Sequence, residues 1–122
     1  MTTPSGREIE ILKILWELGS ASVREVHERM SRDEDLAFNT VQTLLRIMDE
    51  KGLVTHGTRG RAFVYSPAYS REQEAARFLD TVFDGAMDQC VASLLGSRKV
   101  SARELAQVES LIADAKRKAK KP

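Results

Sequence analysis

The chain has 122 residues, 42% of them hydrophobic and 30% charged, with a net charge of +1. That length suits one domain or one domain with a short appendage, and the balance of apolar and charged residues excludes a wholly disordered chain. No apolar run approaches the ~20 residues of a bilayer-spanning helix. The segment 1–7 lacks the basic-then-apolar pattern of a secretory signal, so a cytoplasmic protein with no membrane partner is expected.

Helix starts are marked along the chain. Ser5 with Glu8, Ser22 with Glu25, Ser70 with Gln73 and Ser101 with Glu104 all have capping-box spacing. In that motif a hydroxyl accepts from the third helical N–H and the acidic or amide side chain reaches back to the cap. The first helix is expected over 6–18, with Ile9, Leu12 and Trp16 beside Ile11, Ile14 and Leu15 on a broad apolar face, and Gly19 as its stop. A short extended link follows at 21–23. The second helix covers 23–31, with Val26 and Met30 inward, and 32–35 is a polar turn. The third covers 38–51 and ends at Gly52.

The period then changes. Residues 53–56 read as a strand, 57–60 as a Gly-bearing turn and 61–66 as a second strand, so a β-hairpin is expected, ended by Pro67. Three helices and a hairpin in this order form the winged variant of helix-turn-helix. Beyond Pro67 the pattern is helical, with three apolar stripes. They are Phe78, Leu79, Val82 and Phe83; then Met87, Cys90, Val91, Leu94 and Leu95; then Leu105, Val108, Leu111, Ile112 and Ala115. About 50 residues in three helices bury too little surface to stand alone. The stripes pack either on the winged unit or on a second copy. The second copy is favoured, because the winged unit already reads as complete. The fold class is therefore mainly α with a small β-hairpin wing: a winged helix-turn-helix domain over 1–69 and a helical dimerisation region over 70–122.

Charge alone does not mark a nucleic-acid surface. Residues 1–69 carry nine Lys/Arg against ten Asp/Glu, and 70–122 carry ten against eight. That balance counts against a broad non-specific cationic face and does not exclude a reader with few, well-placed cations. The third helix supplies them. Val41, Leu44, Leu45 and Met48 lie at core spacing, which leaves Asn39, Thr40, Thr43 and Arg46, with Gln42 beside them, on the outer face. Asn and Gln can pair with adenine, Arg with guanine, and a Thr methyl can touch the thymine methyl. A plain solvated face is the alternative, although such faces are usually richer in Glu and Lys. Asn39 could instead cap the helix. Arg59 and Arg61 flank Gly60 at the hairpin tip and suit a phosphate contact, with an ordinary polar turn as the alternative. The basic tail 116–121 reads as a solvated helix end whose cations favour the helix dipole.

Other chemistry has little to stand on. His27 and His56 have no metal-ligand spacing with each other or with Cys90, the one cysteine. Cys90 sits in an apolar stretch and reads as a small buried hydrophobe. There is no Ser-His-Asp arrangement, phosphate-cradling loop or acid–base pair, so no catalytic residue, metal or cofactor is assigned and an enzyme is not expected.

The chain resembles the penicillinase-repressor family, the BlaI/MecI-type repressors, over nearly its whole length. The carriers are the run Glu8 to Trp16, the run Asn39 to Arg46, Lys51-Gly52, and the wing Gly60-Arg61-Ala62-Phe63-Val64-Tyr65-Ser66-Pro67. The resemblance implies a homodimeric repressor on a double-stranded DNA operator, with dimerisation through the region 83–112. It also implies a sensor metalloprotease as partner, relieving repression by cleavage in that region. Antibiotic-responsive members carry an Asn-Phe bond there; the matching positions in this chain are Ser93 and Leu94. A copper-responsive branch uses a C-terminal cysteine cluster, which a single cysteine excludes. A winged-helix protein–protein adaptor without DNA binding is the alternative, and the third helix's outer face discriminates: apolar side chains there favour the adaptor.

Overall fold

A computed structural model describes residues 3–120. Six helices and three strands follow in the order α1 (Gly6–Leu18), β1 (Ala21–Ser22), α2 (Val23–Met30), α3 (Phe38–Glu50), β2 (Val54–Arg59), β3 (Ala62–Pro67), α4 (Arg71–Phe83), α5 (Met87–Ser97) and α6 (Ala102–Ala119). The sheet is antiparallel with order β1-β3-β2. The fold is mainly helical with a small winged sheet, as the sequence pattern predicts. No helix among the described residues is long and apolar enough to cross a membrane.

The capping boxes form where the spacing puts them. Ser5 and Glu8 exchange both bonds at the start of α1, as do Ser22 and Glu25 at α2 and Ser70 and Gln73 before α4. At α6 the Ser101 hydroxyl accepts from the Glu104 N–H. Each box pairs otherwise orphaned amide groups of the first turn. Gly19 stops α1 with a positive φ of 83°, a conformation that a Cβ disfavours.

The hairpin differs from the expectation in one respect. β2 runs on through Gly57, Thr58 and Arg59, which pair with Val64, Phe63 and Ala62. The turn is therefore the two residues Gly60 and Arg61, with Gly60 at φ 64°. A two-residue hairpin turn needs a positive φ at its first position, which Gly60 supplies and Gly57 does not have. The extended link expected at 21–23 also does more than connect: Ala21 and Ser22 pair with Tyr65 and Val64 as a third strand.

Two compact units divide the chain, the first ending at Arg77 and the second beginning at Phe78, within α4. The first has one core, in which Ile11, Leu12 and Leu15 of α1, Val26 of α2 and Val41, Leu45 and Met48 of α3 meet Leu53, Val54 and Tyr65. Leu44 and Trp16 pack partly against it. Trp16 also donates from Nε1 to the Tyr69 carbonyl at 2.8 Å, and Arg71 lies over its ring. These contacts hold the start of α4 within the first unit.

The second unit has no buried residue in α5 or α6. Phe78, Val82, Met87, Val91, Leu94, Leu95, Leu105, Val108, Leu111 and Ile112 are exposed, Met87 and Leu111 by about two-thirds of their surface, and Leu79 and Phe83 are half-buried. Cys90 is likewise half-buried, not the fully buried residue its apolar neighbours suggest. A helix stripe buries its side chains only where a second surface covers it.

Candidate nucleic-acid interface

The inner face of α3 is fixed by the core, and its outer face follows. Asn39, Thr40, Gln42, Thr43 and Arg46 are all exposed. Asn39, Thr43 and Arg46 are spaced by four and three residues, which aligns them along one side of the helix. The capping question at Asn39 is answered by the helix start. The N-cap is Ala37, it makes no side-chain cap bond, and Asn39 lies inside the first turn. Its amide is therefore not committed to the helix end.

Ala37 cannot cap, so other groups organise the turn into α3. The His27 ring Nε2 donates to the Leu36 carbonyl at 2.7 Å, and its ring meets Phe38 edge-on at 5.6 Å between centroids. Leu36 packs on the core. At the other end of α3, Lys51 Nζ donates to both oxygens of Glu8, at 2.9 and 3.1 Å. Glu8 is only 2% exposed. Burial raises its pKa, but the Ser5 N–H and the Lys51 ammonium outweigh burial and hold the carboxyl below its ordinary value. The start of α1 and the end of α3 are thereby clamped together. The sequence marks Glu8 only as half of a capping box, and nothing in its spacing points to Lys51.

The wing is tied to α3 on one face. The His56 ring Nδ1 pairs with the Asp49 carboxylate, and its ring lies edge-on to Phe63 at 5.3 Å and near Tyr65 at 6.2 Å. Tyr65 is buried while Phe63 is exposed, so aromatic contacts run from the core out along β3. Burial, then the nearby Asp49 charge, pushes the Tyr65 phenol up.

The three candidate arginines differ in their surroundings. Arg46 pairs with Glu50 one turn on, at 3.6 Å, a spacing that was readable in advance. Arg59, on β2, pairs with Glu25 of α2, also at 3.6 Å. Arg61, exposed in the turn, has no ion-pair partner among the described residues.

A family model described as penicillinase repressor matches residues 4–114. The chain belongs to the penicillinase-repressor family. It is 27% identical over 120 residues to the penicillinase repressor of Bacillus licheniformis, covering 95% of this chain and 94% of that protein. Among solved structures, the DNA-binding domain of the repressor BlaI matches with a TM-score of 0.52 at 32% identity, over 57% of this chain and 84% of that one. The monomeric form of Bacillus licheniformis BlaI in complex with the blaP half-operator matches with a TM-score of 0.51 at 31% identity, over 58% and 87%. As a member of this family the chain is a transcriptional repressor and not an enzyme. The shared winged-helix fold agrees with the architecture expected from the sequence.

Proposed function

We propose that this penicillinase-repressor-family chain binds double-stranded DNA as a homodimer on an inverted-repeat operator in the cytoplasm. Residues 1–69 do the reading and 70–122 the pairing. The observation that carries the DNA half is the outer face of α3. Five exposed hydrogen-bonding side chains, Asn39, Thr40, Gln42, Thr43 and Arg46, dominate it, and Phe38 at the helix start is the one large hydrophobic residue of α3 exposed beside them. That composition fits a major groove and argues against the protein–protein adaptor, which needs an apolar surface. The wing tip adds phosphate contacts through Arg59 at the end of β2 and Arg61 in the turn.

The pairing half rests on the exposed stripes of the second unit. Covering them removes apolar surface from water at about 25 cal/mol per Å² before ordering costs. A two-fold dimer presents two α3 helices to two half-sites, and linkage raises the effective concentration of the second. Relief by a sensor metalloprotease is the remaining element. Its candidate bond, Ser93–Leu94, lies inside α5 with both residues exposed. Cleavage there requires α5 to open locally, because helical backbone is closed to a protease cleft.

The test combines sedimentation with gel shifts on the chain's own upstream DNA. A dimer is expected that binds a two-half-site fragment far more tightly than either half-site alone. A monomer, or equal affinity for one and two half-sites, overturns the reading.

A further inference from the structure

We propose that Glu25 sets the affinity of the wing for DNA: it is a carboxylate of the chain itself that holds Arg59 in the free protein and competes with DNA phosphate for it. The proposal rests on the reading of Arg59 as a phosphate contact.

Glu25 is not a loose surface residue. Its Oε1 accepts from the Ser22 N–H at 2.9 Å, and the Ser22 hydroxyl accepts from the Glu25 N–H at 3.2 Å. Ser22 is itself paired with Val64 of β3, the strand joined to β2 by the wing turn. The carboxylate is thus fixed to the frame that carries the wing. The same Oε1 lies 3.6 Å from Arg59 Nη1. The two residues come from different elements, so the pair is a tertiary contact and not an ordinary neighbour pair along one helix.

The cap by itself does not call for a full charge. Before α4 the same box is made with an amide, Gln73, whose Oε1 accepts from the Ser70 N–H at 2.8 Å. Hydrogen bonds from the Ser22 amide and hydroxyl, with a smaller contribution from Arg59, hold the Glu25 carboxyl below its ordinary value. It therefore stays ionised wherever the repressor works. A phosphate approaching Arg59 meets that negative charge and must take the guanidinium from it. Arg61, two residues on, has no such competitor among the described residues. The wing tip accordingly carries one restrained cation, Arg59 at the end of β2, and one free one, Arg61 in the turn, and the restraint acts on all sequences alike because phosphate carries no sequence information.

The experiment uses the full chain as wild type, Glu25→Gln, Arg59→Ala and the double variant. Binding to a fluorescent duplex of mixed sequence is measured by anisotropy at low and high salt. Gln preserves the capping acceptor, so the fold should be kept, with Tm lowered only slightly by the loss of an exposed ion pair and a first-turn charge. Glu25→Gln should bind about two- to five-fold more tightly at low salt, the range of an exposed ion pair, with the gain shrinking as salt rises. The gain should vanish in the Arg59→Ala background. A neutral or weakened Glu25→Gln, beside a weakened Arg59→Ala, rejects the competition and leaves the wing reading standing. A gain that persists without Arg59 also rejects it, since Glu25 then acts through the general field. An Arg59→Ala variant that binds as wild type removes the wing contact and the inference with it.

Discussion

The two units of this chain use the same kind of amphipathic helix to different ends. In the first, thirteen hydrophobic residues among those described are buried in one core that three helices and a sheet share. In the second, α5 and α6 form in full yet bury no residue completely. Helix formation and burial are thus separate events. The backbone bonds and the Ser101 cap are local and need no partner, whereas an apolar stripe is covered only by a surface of matching size. A unit of 45 residues, from Phe78 on, is below the size at which a single layer of helices hides its own stripes. The first unit completes itself by folding three helices across a sheet. For the second, the pairing proposed above would supply that surface from another copy of the chain.

The largest effect should come from breaking that second surface. Leu94→Asp with Leu111→Asp places two carboxylates on stripes that are already exposed in the single chain, so the first unit should melt as before. The dimer should be lost, and operator affinity should fall by about 10²–10⁴-fold as the second half-site becomes a separate binding event. Sedimentation and gel shifts read the two outcomes together. An intact dimer in this variant means that the stripes are not the interface.

A smaller effect tests how the first unit is held. Lys51→Met leaves the buried Glu8 carboxylate with the Ser5 contacts but without its ammonium. Loss of hydrogen bonds to a charged group predicts about 1.5–3 kcal/mol of destabilisation in urea melts. The pH dependence has a definite sign. Glu8 has a lower pKa folded than unfolded, so the folded state binds its proton less readily. Its contribution is full at neutral pH and is lost as pH falls through the ordinary glutamate range to the lower folded value. The acid limb of the stability profile should flatten in Glu8→Gln. A wild-type profile with no acid limb, or one unchanged in Glu8→Gln, contradicts the clamp.

Much of the first unit was legible because its signals are local. The Ser-x-x-Glu boxes, the Gly19 stop and the inward Val41, Leu45 and Met48 are set by residues a turn or two apart. The contacts that escaped join distant positions. Glu8 and Lys51 are 43 residues apart, and Trp16 and Tyr69 are 53 apart. Arg59 meets Glu25 only because β1 brings the start of α2 to the sheet. The sequence pattern puts the turn too early because Gly57 resembles a turn residue; as a paired strand residue it needs no positive φ. His27 was legible as a histidine without a metal partner, but its role depends on a carbonyl, and side-chain spacing says nothing about carbonyls.

The smallest effect is the one that separates reading from folding. Thr43 is exposed on α3, between Asn39 and Arg46 along the outer face. Thr43→Ala removes a hydroxyl and a methyl and leaves the core face untouched. Alanine is the better helix former, so Tm should hold or rise, by an amount equivalent to a few tenths of a kcal/mol. The dimer should be unaffected. Loss of one modest base contact should weaken operator binding by about 1 kcal/mol, roughly five-fold, while affinity for mixed-sequence DNA stays level. Stability and specific binding then move in opposite directions, a pattern that general damage cannot produce. Equal losses on operator and mixed-sequence DNA would show that Thr43 meets the backbone, and an unchanged operator affinity would place the readout elsewhere on α3.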